Sequence, residues 1–156
     1  MFPAGASNDA PSLNKVRVLN KVRVMSSQTN HRIWVGFAAL NGAMAVAGGA
    51  WASHRLGDPY AIDIFRTATQ YQLIHALTLI AVVALGQTNN IARCVFFKLA
   101  GWGFTIGLVL FCWGLYVKIL APSLLPTVVI PLGGGTFIGS WLLLAIAAIM
   151  AGSNRS

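Results

Sequence analysis

The stretch Ile33–Ala52 reads IWVGFAALNGAMAVAGGAWA and contains no charged residue. A helix rises 1.5 Å per residue, so a helix of this length spans about 30 Å, which is the thickness of the hydrocarbon core of a bilayer. Asn41 is the one strongly polar residue within it. We therefore predict that this stretch is a transmembrane helix and that the chain folds in lipid.

Three further apolar stretches follow the first along the chain. With it they predict an all-α integral membrane protein whose domain, residues 31–152, is one bundle of four transmembrane helices, with spans at about 33–52, 66–86, 99–117 and 131–151. Asp58 and Pro59 are typical N-cap and first-turn residues, so the second helix is expected to begin there. The run Gly133–Gly135 leaves open whether the fourth span begins with a re-entrant turn.

The composition supports lipid as the solvent of this chain. Of its 156 residues, 56% are hydrophobic and 9% are charged, whereas soluble domains carry about 25% charged residues. The net charge of +8 could indicate a nucleic-acid binder, but the basic residues flank apolar spans. We predict the lipid bilayer as a partner and no nucleic acid.

The positions of the basic residues predict the orientation. Eight of the eleven Lys and Arg residues lie in the N-terminal tail, the loop at 86–98 and the C-terminal tail, and three (Arg55, Arg66, Lys118) lie on the opposite side. The positive-inside rule therefore places both termini in the cytoplasm. The expected location is a bacterial inner (plasma) membrane, or the mitochondrial inner membrane if the protein is eukaryotic.

Residues 1–30 differ from the rest of the chain, because they are rich in Asn, Ser, Pro and basic residues. They contain a short repeat, NKVRV at 14–18 and again at 20–24. We predict a disordered basic extension here. Met25 is followed by a typical bacterial protein start, so translation from Met1 and translation from Met25 both remain open.

Small residues four apart predict close helix packing, because they allow two helix backbones to approach. Gly42 and Gly49 each follow an alanine by four residues in the first span. The other pairs are glycines at the same spacing in the third and fourth spans: Gly103 with Gly107, and Gly135 with Gly139. Trp113 and Tyr116 are expected to anchor at the membrane interface, as aromatic residues near span ends commonly do.

A polar face on the second helix is the main candidate site. Thr67, Tyr71, His75 and Thr78 are spaced by four, four and three residues and so share one side of a helix. His75 could ligate haem or a metal, or relay a proton. Alternatively it is a neutral imidazole that holds helices together through Asn41, Tyr71 or a water. The spans lack a second His, Asp or Glu near mid-depth, so no metal site and no cofactor are predicted.

A second polar group lies at the outer end of the first helical hairpin. It consists of His54, Arg55, Asp58, Asp63 and Arg66. These residues could bind a headgroup, an anion or a partner protein, or they could form a solvated loop with helix-capping acids. No nucleophile with a neighbouring base is visible, so no catalytic residue is predicted and a non-enzymatic protein is favoured.

Several ordered motifs resemble the domain-of-unknown-function 423 family (YgdD-like small inner-membrane proteins). They are GAWASH at 49–54, Phe65 with Thr67 and Ala68, YQLIHAL at 71–77, FCWGLY at 111–116, PLGG at 131–134 and Gly139–Trp141. The chain departs from the family pattern at 52–53 and at 112–114, where Trp113 replaces a glycine. The resemblance implies a four-helix membrane protein, carries no established activity, and directs attention to His54, Tyr71, Gln72 and His75.

Two functions from different classes follow. The first is a non-enzymatic accessory or assembly subunit that packs against a membrane-protein partner or forms a homo-oligomer. The second is a protein that binds or carries a small ligand, such as a quinone, haem or small solute, through the polar face around His75. The candidate ligand-binding residues of the second are Asn41, His54, Thr67, Tyr71, Gln72 and His75.

Overall fold

The computed structural model describes residues 10–88, 91 and 94–153, and its long elements are all helices. In chain order these are α1 (Ala10–Arg55), α2 (Pro59–Thr88), α3 (Val95–Gly107), a π-helical segment (Leu108–Trp113), α4 (Gly114–Leu120) and α5 (Val129–Ser153). No strand occurs among the described residues. The chain forms two units, Met1–Ile33 and Trp34–Ser156.

Four helical stretches are long and apolar enough to cross a membrane. They are His31–Arg55, Pro59–Gln87, Val95–Leu120 and Val129–Ala151. Each contains one predicted span, so the predicted all-α class with four spans is confirmed. The helices extend past the apolar stretches because polar residues near an interface can continue a helix without entering hydrocarbon.

The N-terminal unit differs from the sequence prediction. Residues 10–33 are helical, whereas disorder was expected over 1–30. Extending an existing helix requires no new nucleation. The Leu, Lys and Arg residues of this segment are also good helix formers. Residues 1–9 lie outside the described residues, and the choice between Met1 and Met25 as the start stays a prediction.

The start of α2 confirms the predicted cap. The Asp58 carboxylate accepts hydrogen bonds from the backbone N–H groups of Tyr60 (3.2 Å) and Ala61 (3.3 Å). These groups have no partner inside the helix, so the cap stabilises its first turn.

The start of α5 differs from the re-entrant possibility. The helix begins at Val129 and continues through Gly133–Gly135 without a break. Pro131 lies in its first turn, where a missing N–H is tolerated. The fourth span is therefore an uninterrupted helix over its described length.

Helix α5 packs mainly on α3 and the π segment, while α2 packs against the π segment, α4 and α3. The largest fully buried apolar side chains come from α2, α3 and the π segment: Leu79, Val82, Phe97, Phe104 and Leu108. Trp34 of α1 covers Gly101, where an added Cβ would lie 2.6 Å from the indole ring. The core is apolar in the same way as the surrounding lipid, so close packing supplies much of its specificity.

The π segment interrupts the third span at its contact with α5. A Cβ added to Gly133 would lie 2.8 Å from both the carbonyl carbon of Leu110 and the Cα of Phe111. Backbone atoms cannot move aside as a side chain can. A glycine is therefore required where α5 crosses the π segment.

Candidate functional site

The centre of the bundle holds a hydrogen-bonded network built on Asn41 of α1. The Asn41 Oδ1 accepts hydrogen bonds from the Gln72 Nε2 (2.9 Å) and the Trp113 Nε1 (3.1 Å). The Asn41 Nδ2 donates to the carbonyl oxygen of Phe37 at 2.9 Å. One asparagine thus joins α1 to α2 and to the π segment.

Gln72 extends the same network to α4. Its Oε1 accepts a 2.6 Å hydrogen bond from the Tyr116 hydroxyl. Asn41 and Gln72 are both completely buried. Since a buried amide without partners is costly in an apolar medium, this network favours the arrangement of helices that satisfies it.

Trp113 and Tyr116 differ from their predicted role as interfacial anchors. Both point their polar atoms inward to the network. The indole N–H and the phenolic hydroxyl have partners inside the bundle, so neither needs the polar interface. The Trp113 indole is thus a second donor to the Asn41 Oδ1, beside the Gln72 amide.

His75 has both of its ring nitrogens engaged. Its Nδ1 lies 2.8 Å from the carbonyl oxygen of Tyr71, and the Trp141 Nε1 donates a long 3.4 Å hydrogen bond to its Nε2. A carbonyl oxygen can only accept, so the Nδ1 carries a proton. The indole N–H of Trp141 can only donate, so the Nε2 carries none. This arrangement describes a neutral imidazole.

The His75 ring also stacks on Phe137 of α5, with ring centroids 3.6 Å apart and an angle of 15° between the planes. Its side chain is buried. The histidine therefore joins α2 to α5 through both stacking and hydrogen bonding. Among the residues that the structure describes, no group of three or more His, Cys, Asp or Glu side chains is placed to hold a metal ion.

The predicted polar face of α2 does not form one site. The Thr78 hydroxyl donates to the carbonyl oxygen of Ile74 within the same helix, and Tyr71 is 44% exposed. Thr67 is half-buried. Asn41, considered as a partner of His75, is bonded to Gln72 and Trp113 instead.

The outer polar group is open. His54, Arg55, Asp63 and Arg66 are all exposed, and Asp58 caps α2. Only the capping role has a structural contact. His54 lies thirteen residues after Asn41, about 20 Å along α1, and shares no hydrogen bond with the network among the described residues.

The six glycines predicted to pack helices differ in how closely other atoms approach them. A Cβ at Gly103 would collide with the Ser140 hydroxyl, and one at Gly107 would lie 2.5 Å from the Phe137 ring. A Cβ at Gly49 would only touch Thr69, at 3.9 Å. Gly42, Gly135 and Gly139 would meet no atom within 4 Å, so these three do not pack another helix of this chain.

Two of the closest approaches were missed by the glycine spacing, namely Gly101 and Gly133. Gly133 belongs to the run Gly133–Gly135, which was interpreted as a possible re-entrant start of the fourth span. Gly101 has the spacing of two to Gly103 and so gave no signal of its own.

An apolar groove lies beside the network, between α1, α2 and α4. Its volume is about 450 Å³, within the range of about 300–1,000 Å³ that is usual for ligand pockets. It is lined by Met44, Ala47, Gly48, Trp51, Phe65, Tyr116 and Leu120. A Cβ at Gly48 would lie 3.4 Å from the Tyr116 hydroxyl, so this glycine keeps the inner wall open.

Comparisons with known proteins show which family this chain resembles. A family model described as "Protein of unknown function (DUF423)" matches residues 48–134. A UPF0382 membrane protein of Staphylococcus epidermidis is 34% identical over 122 residues, which cover 76% of this chain and 96% of the relative. The UPF0382 membrane protein YwdK of Bacillus subtilis is 31% identical over 122 residues, covering 76% and 97% respectively. No solved structure matches the chain.

Proposed function

This chain belongs to the DUF423 family of membrane proteins, and on that premise we propose that it is a non-enzymatic accessory or assembly subunit of a membrane complex. The observation that carries the proposal is the state of the polar side chains inside the bundle. Asn41, Gln72 and His75 form hydrogen bonds with side chains of other helices in the bundle. Their chemistry is used to hold the bundle together.

The outward face of α5 supports association with another membrane protein. Gly135 is exposed and Gly139 is half-buried, and neither has a neighbour within 4 Å of an added Cβ. Two glycines four residues apart, with no atom near an added Cβ, permit the close approach of a further transmembrane helix. Gly103 and Gly107, at the same spacing, are occupied by α5 of the same chain and are unsuitable for this purpose.

The test is gentle detergent purification at the native expression level, with mass spectrometry of the proteins that accompany the chain. We expect a stoichiometric membrane-protein partner, and we expect Gly135→Leu with Gly139→Leu to lose it while keeping the fold. Gly36→Leu is the matched control, because Gly36 is equally open and is followed four residues later by Leu40. Recovery of the chain without another protein would contradict the proposal.

A second candidate function is the binding of a small apolar ligand in the groove. Its support is the 450 Å³ volume together with the position of the Tyr116 hydroxyl at the inner wall. A quinone-like ligand, with an apolar body and one hydrogen-bonding oxygen, has this chemistry. Gly48→Leu should fill the groove and abolish binding of a fluorescent ubiquinone analogue, while Gly42→Leu should leave it unchanged. Equal binding by both variants would remove this candidate.

The orientation and the membrane are part of the same proposal. The even number of candidate spans supports termini on the same side, and the excess of basic residues near them favours the cytoplasm of a bacterial inner membrane. Labelling of single cysteines in intact cells tests it. A cysteine introduced at Ser123 should react with an impermeant maleimide, whereas one introduced at Gln87 should react only after the cells are opened.

A further inference from the structure

The outward face of α2 carries a regular series of exposed residues. We call it the α2 seam, and it consists of Asp63, Arg66, Gln70, Leu73, Leu77 and Ile80. The intervals are three, four, three, four and three, which is the a/d spacing of a heptad repeat. The buried residues of α2, including Gln72 and Leu79, lie on the opposite side of the helix.

Gln70 is the unusual member of the seam. It lies eleven residues after Pro59, which is about 17 Å along a span of 29 residues and about 43 Å, so its side chain is well within the hydrocarbon. It is exposed, and its amide makes no hydrogen bond to any residue that the structure describes. An unpaired amide in lipid is unfavourable, and pairing with another helix relieves this.

We propose that two copies of this chain form a dimer through the α2 seam, with the two α2 helices parallel about a two-fold axis along the membrane normal. Such an interface places the same patch on both sides, so the patch has to complement itself. An amide does so, because it contains both a donor and an acceptor, and Gln70 faces Gln70 of the second copy across the axis.

The charges of the seam complement each other in the same geometry. Asp63 and Arg66 are both exposed, and neither has an ion-pair partner within the described part of the chain. In a parallel dimer each Asp63 is level with Asp63 of the second copy and about 4.5 Å in depth from its Arg66, an offset that the long arginine side chain can span. One copy thus supplies an acid and a base to the other, and a second copy is the occupant that the pattern fits.

The C-terminal half of the α2 seam is aliphatic. Leu73, Leu77 and Ile80 are between 41% and 59% exposed and contribute knobs for packing between the two helices. Leucine gains little by leaving lipid, so these residues fix the fit of the interface while Gln70 supplies its driving force. Polar residues at a positions set register and oligomeric state in this way.

Cysteine cross-linking in native membranes tests the geometry. In a background with Cys94→Ala and Cys112→Ala, we expect Leu73→Cys and Leu77→Cys to form intermolecular disulfides on mild oxidation, because seam residues bring Cα atoms within about 7 Å. Tyr71→Cys is the control, since Tyr71 is 44% exposed at a similar depth and lies about 160° around the helix from Leu73 and about 120° from Leu77. Equal cross-linking at Tyr71→Cys, or none at the seam, would overturn the proposal.

A second variant tests the role of Gln70. In the Leu77→Cys background, Gln70→Leu should reduce cross-linking and weaken dimerisation by about tenfold, and Gln70→Asn should restore part of it. An unchanged dimer in Gln70→Leu would overturn the proposal. The partner test on α5 is independent, because Gly135→Leu with Gly139→Leu leaves the seam intact and should leave the cross-link at Leu77→Cys unchanged.

Discussion

Gln70 and Gln72 are the same amino acid, two positions apart on one helix, and they are in opposite situations. Gln72 is completely buried and bonded to Asn41 and Tyr116, whereas Gln70 is exposed and has no hydrogen-bond partner among the described residues. Two residues turn a helix by about 200°, so Gln72 faces the bundle while Gln70 faces lipid. In a membrane, the side of the helix decides whether a polar residue serves the fold or association.

The glycines repeat this contrast. Gly107 is covered by Phe137 of the same chain, while Gly139, at the same spacing within its own pair, is open. Identical GxxxG motifs therefore have different surroundings here. Substitutions on the inward side should damage the fold, and those on the outward side should leave the fold intact and change what the protein binds.

The largest expected effect is that of Gly133→Leu. The new side chain would collide with the backbone of Phe111, and no rotation of a side chain can relieve that contact. We expect aggregation or loss of the monodisperse peak in size-exclusion chromatography. Gly135→Leu, two residues further on, should elute like the parent, and a normal peak for Gly133→Leu would contradict the described crossing of α5 and the π segment.

Asn41→Leu should have the next largest effect. It removes the acceptor of both the Gln72 amide and the Trp113 indole, and stranding buried donors costs about 1–3 kcal/mol. At about 2–4 °C per kcal/mol for a protein of this size, Tm should fall by several degrees. Ala43→Leu, an exposed change on the same helix, serves as the control. An equal Tm in both variants would show that the network does not stabilise the bundle.

Trp141→Phe should have a smaller effect. The hydrogen bond from its indole to His75 is long, and hydrogen bonds between membrane helices average about 0.6 kcal/mol. The ring contact with Phe104 should be kept, because Phe occupies part of the same space. We expect a loss of stability below about 1 kcal/mol in a denaturant titration. A loss as large as that of Asn41→Leu would mean that the contact between Trp141 and His75 stabilises the bundle as much as the Asn41 network does.

Gly139→Leu should have the smallest effect on the fold. Nothing lies within 4 Å of an added Cβ, so the leucine would project into lipid. Tm should match that of the parent to within the error of the measurement. A clear decrease would place Gly139 inside the bundle and would remove it as an association surface.

The sequence predicted the number of spans and their approximate positions, because uninterrupted apolar stretches are visible without knowledge of contacts. It could not predict which side of each helix faces inward. In a soluble helix a polar face marks the exterior, but here the core and the surrounding lipid are both apolar. The stripe Thr67–Tyr71–His75–Thr78 therefore did not correspond to one site.

The partners in the network were also beyond reach from sequence. Gln72 and Asn41 are 31 positions apart, and Trp113 and Asn41 are 72 positions apart. Nothing local in FCWGLY indicates a π segment, so the phase of Trp113 and Tyr116 relative to α3 was not predictable. Asn41, Tyr71 and His75 lie in the middle parts of their predicted spans. Their depths therefore allowed contact between them but did not specify which pairs form.

The two glutamines provide the most direct test of this account. Tm of Gln70→Leu and of Gln72→Leu should be measured side by side, in one detergent and at a dilution where the parent is monomeric. We expect a decrease of several degrees for Gln72→Leu, because it removes the acceptor of the Tyr116 hydroxyl and one of the two donors to the Asn41 Oδ1. We expect no decrease for Gln70→Leu. A decrease for Gln70→Leu as large as that for Gln72→Leu would contradict the division of α2 into an inward face that holds the fold and an outward face left for association.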